Sequence, residues 1–168
     1  MDGTRERLLA AAKTEFLERG YRSASLRRIS SAAGVTTGAI YGCFGGKAEL
    51  FDALVGEAYE TFIDNFNAAQ ESFRRLPPER QPDYVGVSSR DYIDWTVVYM
   101  LEHRDEFRLI LQCSEGTRYS RLIDEMVEIE TKATDDFLAV LDGMSHEHGN
   151  ISPMLEHIMV SSMFTGFM

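Results

Sequence analysis

The stretch that decides the fold of this chain is residues 25–41, which read SLRRISSAAGVTTGAIY. It predicts two short helices, one over about Leu26–Ala33 and one that starts near Thr36 or Thr37. Gly34 supplies the backbone of the turn between them, and the small residues before it allow the two helices to approach closely. Two short helices joined by a tight, glycine-containing turn form the pattern of a helix-turn-helix.

The second of these helices is predicted to end near Phe44 and carries small or hydroxyl-bearing residues at its start. Such a surface fits deep in a major groove, where hydroxyls and methyls meet base edges. Cations and a phenol nearby are candidates for phosphate contacts, because helix starts favour anions. The predicted DNA-binding residues are Ser25, Arg27, Arg28, Thr36, Thr37, Gly38, Ala39, Tyr41 and Lys47. The plainer alternative is a structural three-helix unit with solvated arginines.

Helical periodicity continues along the rest of the chain, and alternating strand patterns are absent, so we predict an all-α protein. The proline-rich residues 76–82 are the one clear linker. Residues 143–150 are predicted to form a loop. Further helices are predicted over about 4–19, 47–75, 84 or 88 to 103, 105–113, 119–141, and from Ser152-Pro153 onward. We therefore predict a DNA-binding domain over 1–47 and a helical effector-binding and dimerisation domain over 48–168.

The charge is distributed unevenly along the 168 residues, whose formal net charge is -10. Residues 1–50 hold 8 Lys and Arg against 5 Asp and Glu, a balance of +3, whereas residues 51–168 hold 9 against 22, a balance of -13. A net acidic chain argues against nucleic acid as a partner, but this split assigns an anionic partner to the first segment. The acidic remainder is most simply a solvated surface that repels DNA.

The composition excludes several other classes. Two cysteines, Cys43 and Cys113, cannot make a disulfide framework, and we expect both to be reduced and buried in a cytoplasmic protein. No run approaches a membrane span, and no secretion signal precedes the first helix. Gly45-Gly46-Lys47 is too short for a phosphate loop, and Ser88, Ser89 and Ser114 lack a nucleophile context, so we expect no enzyme.

We also expect no cofactor and no metal. His146 and His148 could join His157 or Glu156 around a metal ion, but they lie in a predicted loop and lack a defined ligand spacing. Solvated loop histidines are the simpler interpretation.

The order of residues in the first 55 positions resembles the DNA-binding domain of TetR-family transcriptional regulators. The matching elements are Gly20-Tyr21, SLRRI at 25–29, AGVTTGAIY at 33–41, Phe44, and KAEL at 47–50. The resemblance implies an all-helical homodimer in which three N-terminal helices bind a palindromic operator in double-stranded DNA. It also implies an effector pocket in the later helices and a dimer interface made by the last two.

Two departures from the family pattern matter. Gly42 and Cys43 stand where the family commonly has His-Tyr, and that Tyr usually touches a phosphate, so one backbone contact is expected to be missing. The alternative function is therefore a helical ligand-binding or protein-interaction module with a degenerate DNA-reading head. The family also usually has a ninth helix, and residues 158–168 have no helix ending, so we expect either that the chain is truncated or that this helix packs against something outside the chain.

The later helices hold aromatic and hydroxylated residues suited to a cavity, although ordinary core is the alternative for each of them. The predicted effector-binding residues are Tyr92, Trp95, Tyr99, Phe107, Cys113, Tyr119, Met126 and Met154. An acidic neighbour that faces the cavity would favour a cationic or amine-bearing apolar effector, and solvated carboxylates are the alternative; the candidates are Asp91, Asp94, Glu102 and Glu115. We thus predict a repressor that a small apolar effector releases from its operator, with the helix from Lys47 as the lever.

Overall fold

The computed structural model describes the backbone of residues 2–143, and the side chains of residues 3–81 and 92–140. This part of the chain holds seven α-helices and two short 3-10 helices and no strand, which confirms the all-α prediction. The predicted loop at 144–150 and the predicted helix from Ser152, with Met154 and the three histidines at 146, 148 and 157, lie outside the described residues. The α-helices are α1 (Asp2–Ser23), α2 (Leu26–Ala32), α3 (Thr37–Cys43), α4 (Lys47–Arg74), α5 (Gln81–Glu102), α6 (Arg104–Cys113) and α7 (Leu122–Gly143).

The chain divides into two compact units. Unit one comprises residues 1–61 and 100–120, and unit two comprises residues 62–99 and 121–168. The functional boundary predicted at residue 47 falls inside unit one, and α4 contributes residues to both units. The packing therefore divides the chain at a different place from the predicted functional boundary, which stays a prediction.

The core of unit one forms where α1 packs against α2 and α6, and where α2 packs against α3. Leu8, Ala12 and Phe16 recur at four-residue spacing on α1 and are completely buried. The Phe16 ring meets the Phe51 ring edge-on, with centroids 5.0 Å apart. Full burial of a side chain such as Leu8 or Phe16 contributes roughly 1.5–3 kcal/mol to folding.

Glycines with positive φ set the helix ends in unit one. Gly34 has a φ of 66° in the turn between α2 and α3, as predicted from the sequence. Gly20, with a φ of 70°, interrupts α1, but the chain resumes helical backbone as far as Ser23. The prediction that the first helix ends at Arg19 is therefore wrong by one turn, because the residues after the kink return to helical geometry.

Two later boundaries also differ from the sequence prediction. A 3-10 helix forms at Pro78–Arg80 inside the predicted linker, and α5 begins at Gln81 rather than at residue 84 or 88. Pro82 fits there because the first turn of a helix needs no backbone N–H donor. A second 3-10 helix, Arg118–Arg121, delays the start of α7 to Leu122. The Thr117 hydroxyl accepts a hydrogen bond from the Tyr119 N–H at 3.2 Å and so holds this tight turn.

Candidate nucleic-acid interface

The turn between α2 and α3 is fixed by its own backbone. The Gly34 N–H donates to the Ser31 carbonyl at 3.1 Å, and the Val35 N–H donates to the Ser30 carbonyl at 2.9 Å. These bonds satisfy carbonyls at the end of α2, and the left-handed Gly34 makes them possible. Ile29 on α2 and Ile40 on α3 are completely buried, so each helix has one face fixed to the core.

A pair of hydroxyls joins α2 directly to the start of α3. Ser30, which is 4% exposed, donates from Oγ to the Arg27 carbonyl at 3.1 Å. The Thr37 hydroxyl lies 3.1 Å from the same Ser30 Oγ. Because Ser30 has only one hydroxyl proton, Thr37 is the donor in this second bond. The first turn of α3 is therefore held against α2 at a polar contact as well as through Ile40.

Glu15 ties the start of α2 to α1. It is buried, and its Oε1 accepts from the Ser25 N–H at 2.9 Å and from Arg28 Nε and Nη2 at 2.7 and 2.6 Å. Arg28 also donates to the Ser23 carbonyl at 3.0 Å. The hydrogen bond from Arg28 lowers the pKa of Glu15, against the opposing effect of burial. This charge-assisted network fixes where α2 begins relative to α1.

The outer face of α3 stays open to solvent. Tyr41 is 58% exposed, and Thr36 and Gly38 are exposed as well. Thr36 occupies the N-cap position of α3 without using its side chain to cap the helix, and the same holds for Ser25 on α2. Their hydroxyls therefore make no capping bond to the helix that each one precedes.

Gly42 and Cys43 lie at the end of this open face. Cys43 is exposed, so the expectation that it packs in the core is wrong. The reason is the register of α3, because burial of Ile40 leaves the residues of the last turn on the solvent side. A Cβ at Gly42 would have no neighbour within 4 Å, so the position has room for a larger side chain.

The three predicted phosphate-binding cations have different surroundings. Arg27 is exposed, and its guanidinium makes no hydrogen bond or ion pair within the described residues. Arg28 is held by Glu15, as described above. Lys47 Nζ donates to the Arg22 carbonyl at 3.2 Å and lies 4.8 Å from the centroid of the Tyr21 ring, and burial lowers its pKa. Arg27 is thus the predicted cation that is most available to an external anion.

The structure separates the predicted effector-binding residues. Phe107, Cys113 and Tyr119 belong to unit one, where they are buried, and Cys113 is 7% exposed, as expected of a core thiol. Tyr119 donates to the Asp52 carboxylate, and Arg118 donates to the Tyr119 hydroxyl at 2.9 Å. Tyr92, Trp95, Tyr99 and Met126 belong to unit two, and Met154 lies outside the described residues.

Unit two brings three of the predicted effector residues together as a row of rings along α5. The Trp95 and Tyr99 centroids are 4.8 Å apart and almost parallel, and Tyr92 and Trp95 are 6.2 Å apart. Phe66 and Phe62 of α4 lie 5.3 Å from Tyr92 and 6.2 Å from Trp95. We call these five residues the ring cluster. Polar residues beside it were not predicted, chiefly Gln70, Thr96 and Glu130.

Sequence reasoning also missed the residues that position the interface. Glu15 falls three residues after Ala12 on the buried side of α1, and a carboxylate at such a position signals a buried partner. That signal was available in the sequence. The Ser30–Thr37 contact had no comparable signal, because it depends on how two helices rotate against each other.

Two features of other protein classes do not occur within the described ranges. No helix there has both the length and the apolar composition needed to cross a membrane. No group of three or more His, Cys, Asp or Glu side chains there is arranged to hold a metal ion.

Comparison with known proteins bears on the segment that carries this interface. The family model of bacterial regulatory proteins of the TetR family matches residues 8–54. The probable HTH-type transcriptional regulator ArpR of Pseudomonas putida is 43% identical over 75 residues, which cover 45% of this chain and 35% of that relative. The match thus spans about a third of that relative's length.

Two further similarities extend beyond the first helices. The HTH-type transcriptional repressor AcnR of Corynebacterium efficiens is 43% identical over 137 residues, 79% of this chain and 66% of that repressor. The crystal structure of NalD, the secondary repressor of the MexAB-OprM multidrug efflux pump in Pseudomonas aeruginosa, superposes with a TM-score of 0.56 at 24% identity, covering 98% of this chain and 81% of that one. The structural likeness shows a shared fold.

Proposed function

This chain belongs to the TetR family of bacterial regulatory proteins, and from that premise we propose that it is a DNA-binding transcriptional regulator that reads its operator with α3. The observation that carries the proposal is the open face of α3, which is fixed from behind by Ile40 and by the Ser30–Thr37 contact. A small-residue helix face held rigidly is suited to base edges in a major groove.

Phosphate contacts are assigned to the groups that surround this face. Arg27 is exposed and free to pair with a phosphate, and the Tyr41 hydroxyl is an exposed donor. Arg28 and Lys47 retain N–H groups beyond those bound internally, and they act mainly by holding α2 and α4 in place. Thr36, Gly38 and Ala39 form the base-facing surface, with Thr37 orienting the helix and Ser25 at the start of α2.

Regulation follows from the rest of the proposal. The protein acts as a repressor and a homodimer whose C-terminal helices pair, and a small apolar effector releases it from a palindromic operator. A regulator of this kind acts in the cytoplasm, where bacterial DNA lies. α4 carries residues of both units in one helix, so it is a continuous covalent route by which an effector could shift the population of DNA-binding states. In the bound dimer the two copies of α3 would lie one duplex turn apart, about 34–36 Å.

The experiment is selection of a binding site from random double-stranded DNA, followed by anisotropy titration at several salt concentrations. We expect affinity for a palindrome that falls with salt, since each neutralised phosphate releases counterions. Tyr41→Ala and Arg27→Ala weaken binding. Arg108→Ala removes an exposed arginine of α6 and serves as the matched control. Failure to enrich any sequence, or binding that Tyr41→Ala leaves unchanged, contradicts the proposal.

The departure at Gly42 and Cys43 allows a gain-of-function test. Cys43 is exposed at the end of α3, so Cys43→Tyr places a phenol where relatives of this family usually touch a phosphate. We expect tighter binding with little change in the dependence of affinity on salt, because a neutral phenol adds a hydrogen bond to a phosphate but releases no counterion. If neither the natural chain nor this variant binds DNA, the alternative of a ligand-binding or interaction module with a degenerate head is favoured instead.

A further inference from the structure

The 3-10 helix that follows α6 grips one face of α4 within unit one. The Tyr119 hydroxyl donates to the Asp52 carboxylate, and Arg118 Nη2 donates to that hydroxyl at 2.9 Å and to Asp52 Oδ1 at 3.2 Å. Arg118 Nη1 donates to Glu60 Oε1 at 2.7 Å. Asp52 and Glu60 lie about two helical turns apart on α4, so one guanidinium and one phenol span that length of the helix. We call Arg118, Tyr119, Asp52 and Glu60 the α4 clamp.

The segment that carries Arg118 and Tyr119 is itself held in place. Thr117 Oγ1 donates to the Ser114 carbonyl at 2.7 Å and accepts a hydrogen bond from the Tyr119 N–H. The Thr117 N–H donates to the same carbonyl at 2.9 Å, and Ser120 Oγ donates to the Thr117 carbonyl at 2.8 Å. Because these bonds close the turn locally, the segment is a fixed reference against which α4 is positioned.

A glycine inside α4 provides the space for this contact. Gly56 is buried, and a Cβ there would lie 3.3 Å from the Tyr119 hydroxyl and 3.5 Å from Asp52 Cγ. Glycine in the interior of a helix is less stable than alanine, so α4 is weakened at the point where the hydroxyl docks. The close approach of Tyr119 to α4 accounts for a glycine at this position.

The Tyr119 ring packs on α4 as well. Its centroid lies 5.0 Å from that of Tyr59 and 5.8 Å from that of Phe51, and the side chain is 3% exposed. Burial raises the pKa of Tyr119 to about 12, so the hydroxyl keeps the proton that it donates to Asp52. Apolar packing has no preferred direction, whereas a hydrogen bond does. The rings therefore hold α4 close, and the α4 clamp fixes its rotation.

The position of α4 bears directly on the DNA interface. α4 begins at Lys47, and only residues 44–46 separate it from α3, so a rotation of α4 displaces both. Stability does not account for the Arg118–Glu60 ion pair, because both side chains are more than half exposed and such pairs contribute little. We propose that Arg118 and Tyr119 are positioning residues for DNA binding: they contact no DNA, and they fix the rotation of α4 so that Lys47 and α3 fit the operator. The inference rests on the DNA-binding function proposed above.

The test is anisotropy titration of the full chain against its selected operator at several salt concentrations, where circular dichroism shows each variant to be folded. Tyr119→Phe and Arg118→Gln should weaken binding roughly threefold to thirtyfold. The slope of log affinity against log salt should stay unchanged, whereas a lost phosphate contact would reduce it by about one. A merely structural role would leave the affinity of the folded variants unchanged.

Three further variants sharpen the assignment. Arg118→Lys keeps the charge but cannot bridge the other members of the α4 clamp, so it should recover little of the lost affinity. Arg121→Gln removes an exposed arginine of the same 3-10 helix, is the matched control, and should leave binding unchanged. Gly56→Ala should weaken binding in the natural chain but add little to Tyr119→Phe, which lacks the opposing hydroxyl.

Hydrogen exchange separates this inference from the proposed function, because it needs no DNA. Tyr119→Phe should speed amide exchange in residues 47–55 and leave α1 unchanged. If the natural chain binds no DNA, the proposed function fails; faster exchange confined to 47–55 then still supports the hold on α4, and unchanged exchange overturns it. If the natural chain binds DNA, unchanged affinity in Tyr119→Phe, a reduced salt slope in Arg118→Gln, or full recovery in Arg118→Lys overturns the inference.

Discussion

Glu15 in unit one and Glu130 in unit two are glutamates withdrawn from solvent, and their surroundings differ. Glu15 accepts from a backbone N–H and twice from the Arg28 guanidinium, and its pKa is lowered. Glu130 accepts one bond from the neutral Gln70 amide, and its pKa is raised. Two buried hydroxyls differ as well. Ser30 in unit one has two hydrogen-bond partners, while Thr96 in unit two has no partner in good hydrogen-bond geometry among the described residues.

The difference distinguishes a buried carboxylate that stabilises the fold from one whose burial opposes ionisation. A satisfied carboxylate fixes the geometry of the helices that surround it, which a DNA-reading surface requires. A carboxylate that is withdrawn from water and receives only a neutral donor among the described residues lowers stability while it is ionised. The following variants test whether the two units differ in this way.

The largest effect is expected from Glu15→Gln. The amide cannot pair with Arg28 as an ion, so we expect the free energy of unfolding to fall by about 2 kcal/mol at neutral pH, allowing for screening of the half-exposed guanidinium. Urea titration measures the change. Glu18→Gln, an exposed neighbour on α1, should leave the free energy unchanged.

The pH dependence of stability shows whether the ionised form of Glu15 stabilises the fold through Arg28. Because the pKa of Glu15 is lowered on folding, its contribution is present above the ordinary glutamate pKa and is lost as pH falls through the lowered folded value. The difference in the free energy of unfolding between the natural chain and Glu15→Gln should therefore disappear in acid. A difference in the free energy of unfolding that stays constant with pH would show that the loss of stability in Glu15→Gln comes from packing rather than from charge.

The next effect compares two buried hydroxyls. Ser30→Ala removes the donor to Arg27 and the acceptor for Thr37, and should cost about 1 kcal/mol. Thr96→Val removes, at nearly constant shape, a buried hydroxyl with no well-aligned partner among the described residues, and should be neutral or stabilising by up to about 1 kcal/mol. Thermal unfolding of both variants measures the difference. Equal destabilisation by the two changes would break the comparison between the units.

A comparison of another kind, between two adjacent arginines, separates a structural from a DNA-facing cation within unit one. Arg28→Ala should lower the urea midpoint because it leaves Glu15 without its cation, whereas Arg27→Ala should leave the midpoint unchanged. In DNA titrations we expect the opposite ranking, in which Arg27→Ala has the larger effect although the variant stays fully folded. It should reduce the slope of log affinity against log salt by about one. A loss of stability in Arg27→Ala would show that it, too, is a structural residue.

The smallest effect on stability is expected from Glu130→Gln without ligand. The raised pKa means that ionised Glu130 disfavours folding at neutral pH, and this penalty disappears as pH falls through the folded value. The variant should match or slightly exceed the natural chain at neutral pH and converge with it in acid. Calorimetry at several pH values follows the two melting curves. Destabilisation as large as that of Glu15→Gln would remove the distinction between the two glutamates.

Local features of the sequence predicted much of the DNA-binding segment. The α2–α3 pattern, Gly34 in the turn and the start of α4 at Lys47 are all found in the structure. The predicted effector residues fall in both units, because aromatic composition does not tell which helices pack together, and their role stays a prediction. Phe107 and Cys113 proved to be core residues of unit one, whereas Trp95 lies in the ring cluster.

What the sequence determined by itself is the all-helical class, the helix-turn-helix and the family, because periodicity, turn glycines and motif order are local properties of the chain. Tertiary structure alone decided which polar groups are paired. Arg28 reaches Glu15 across 13 residues, and Gln70 reaches Glu130 across 60. Such pairings depend on how each helix rotates when it buries its apolar face, and that rotation is set by packing rather than by any single helix.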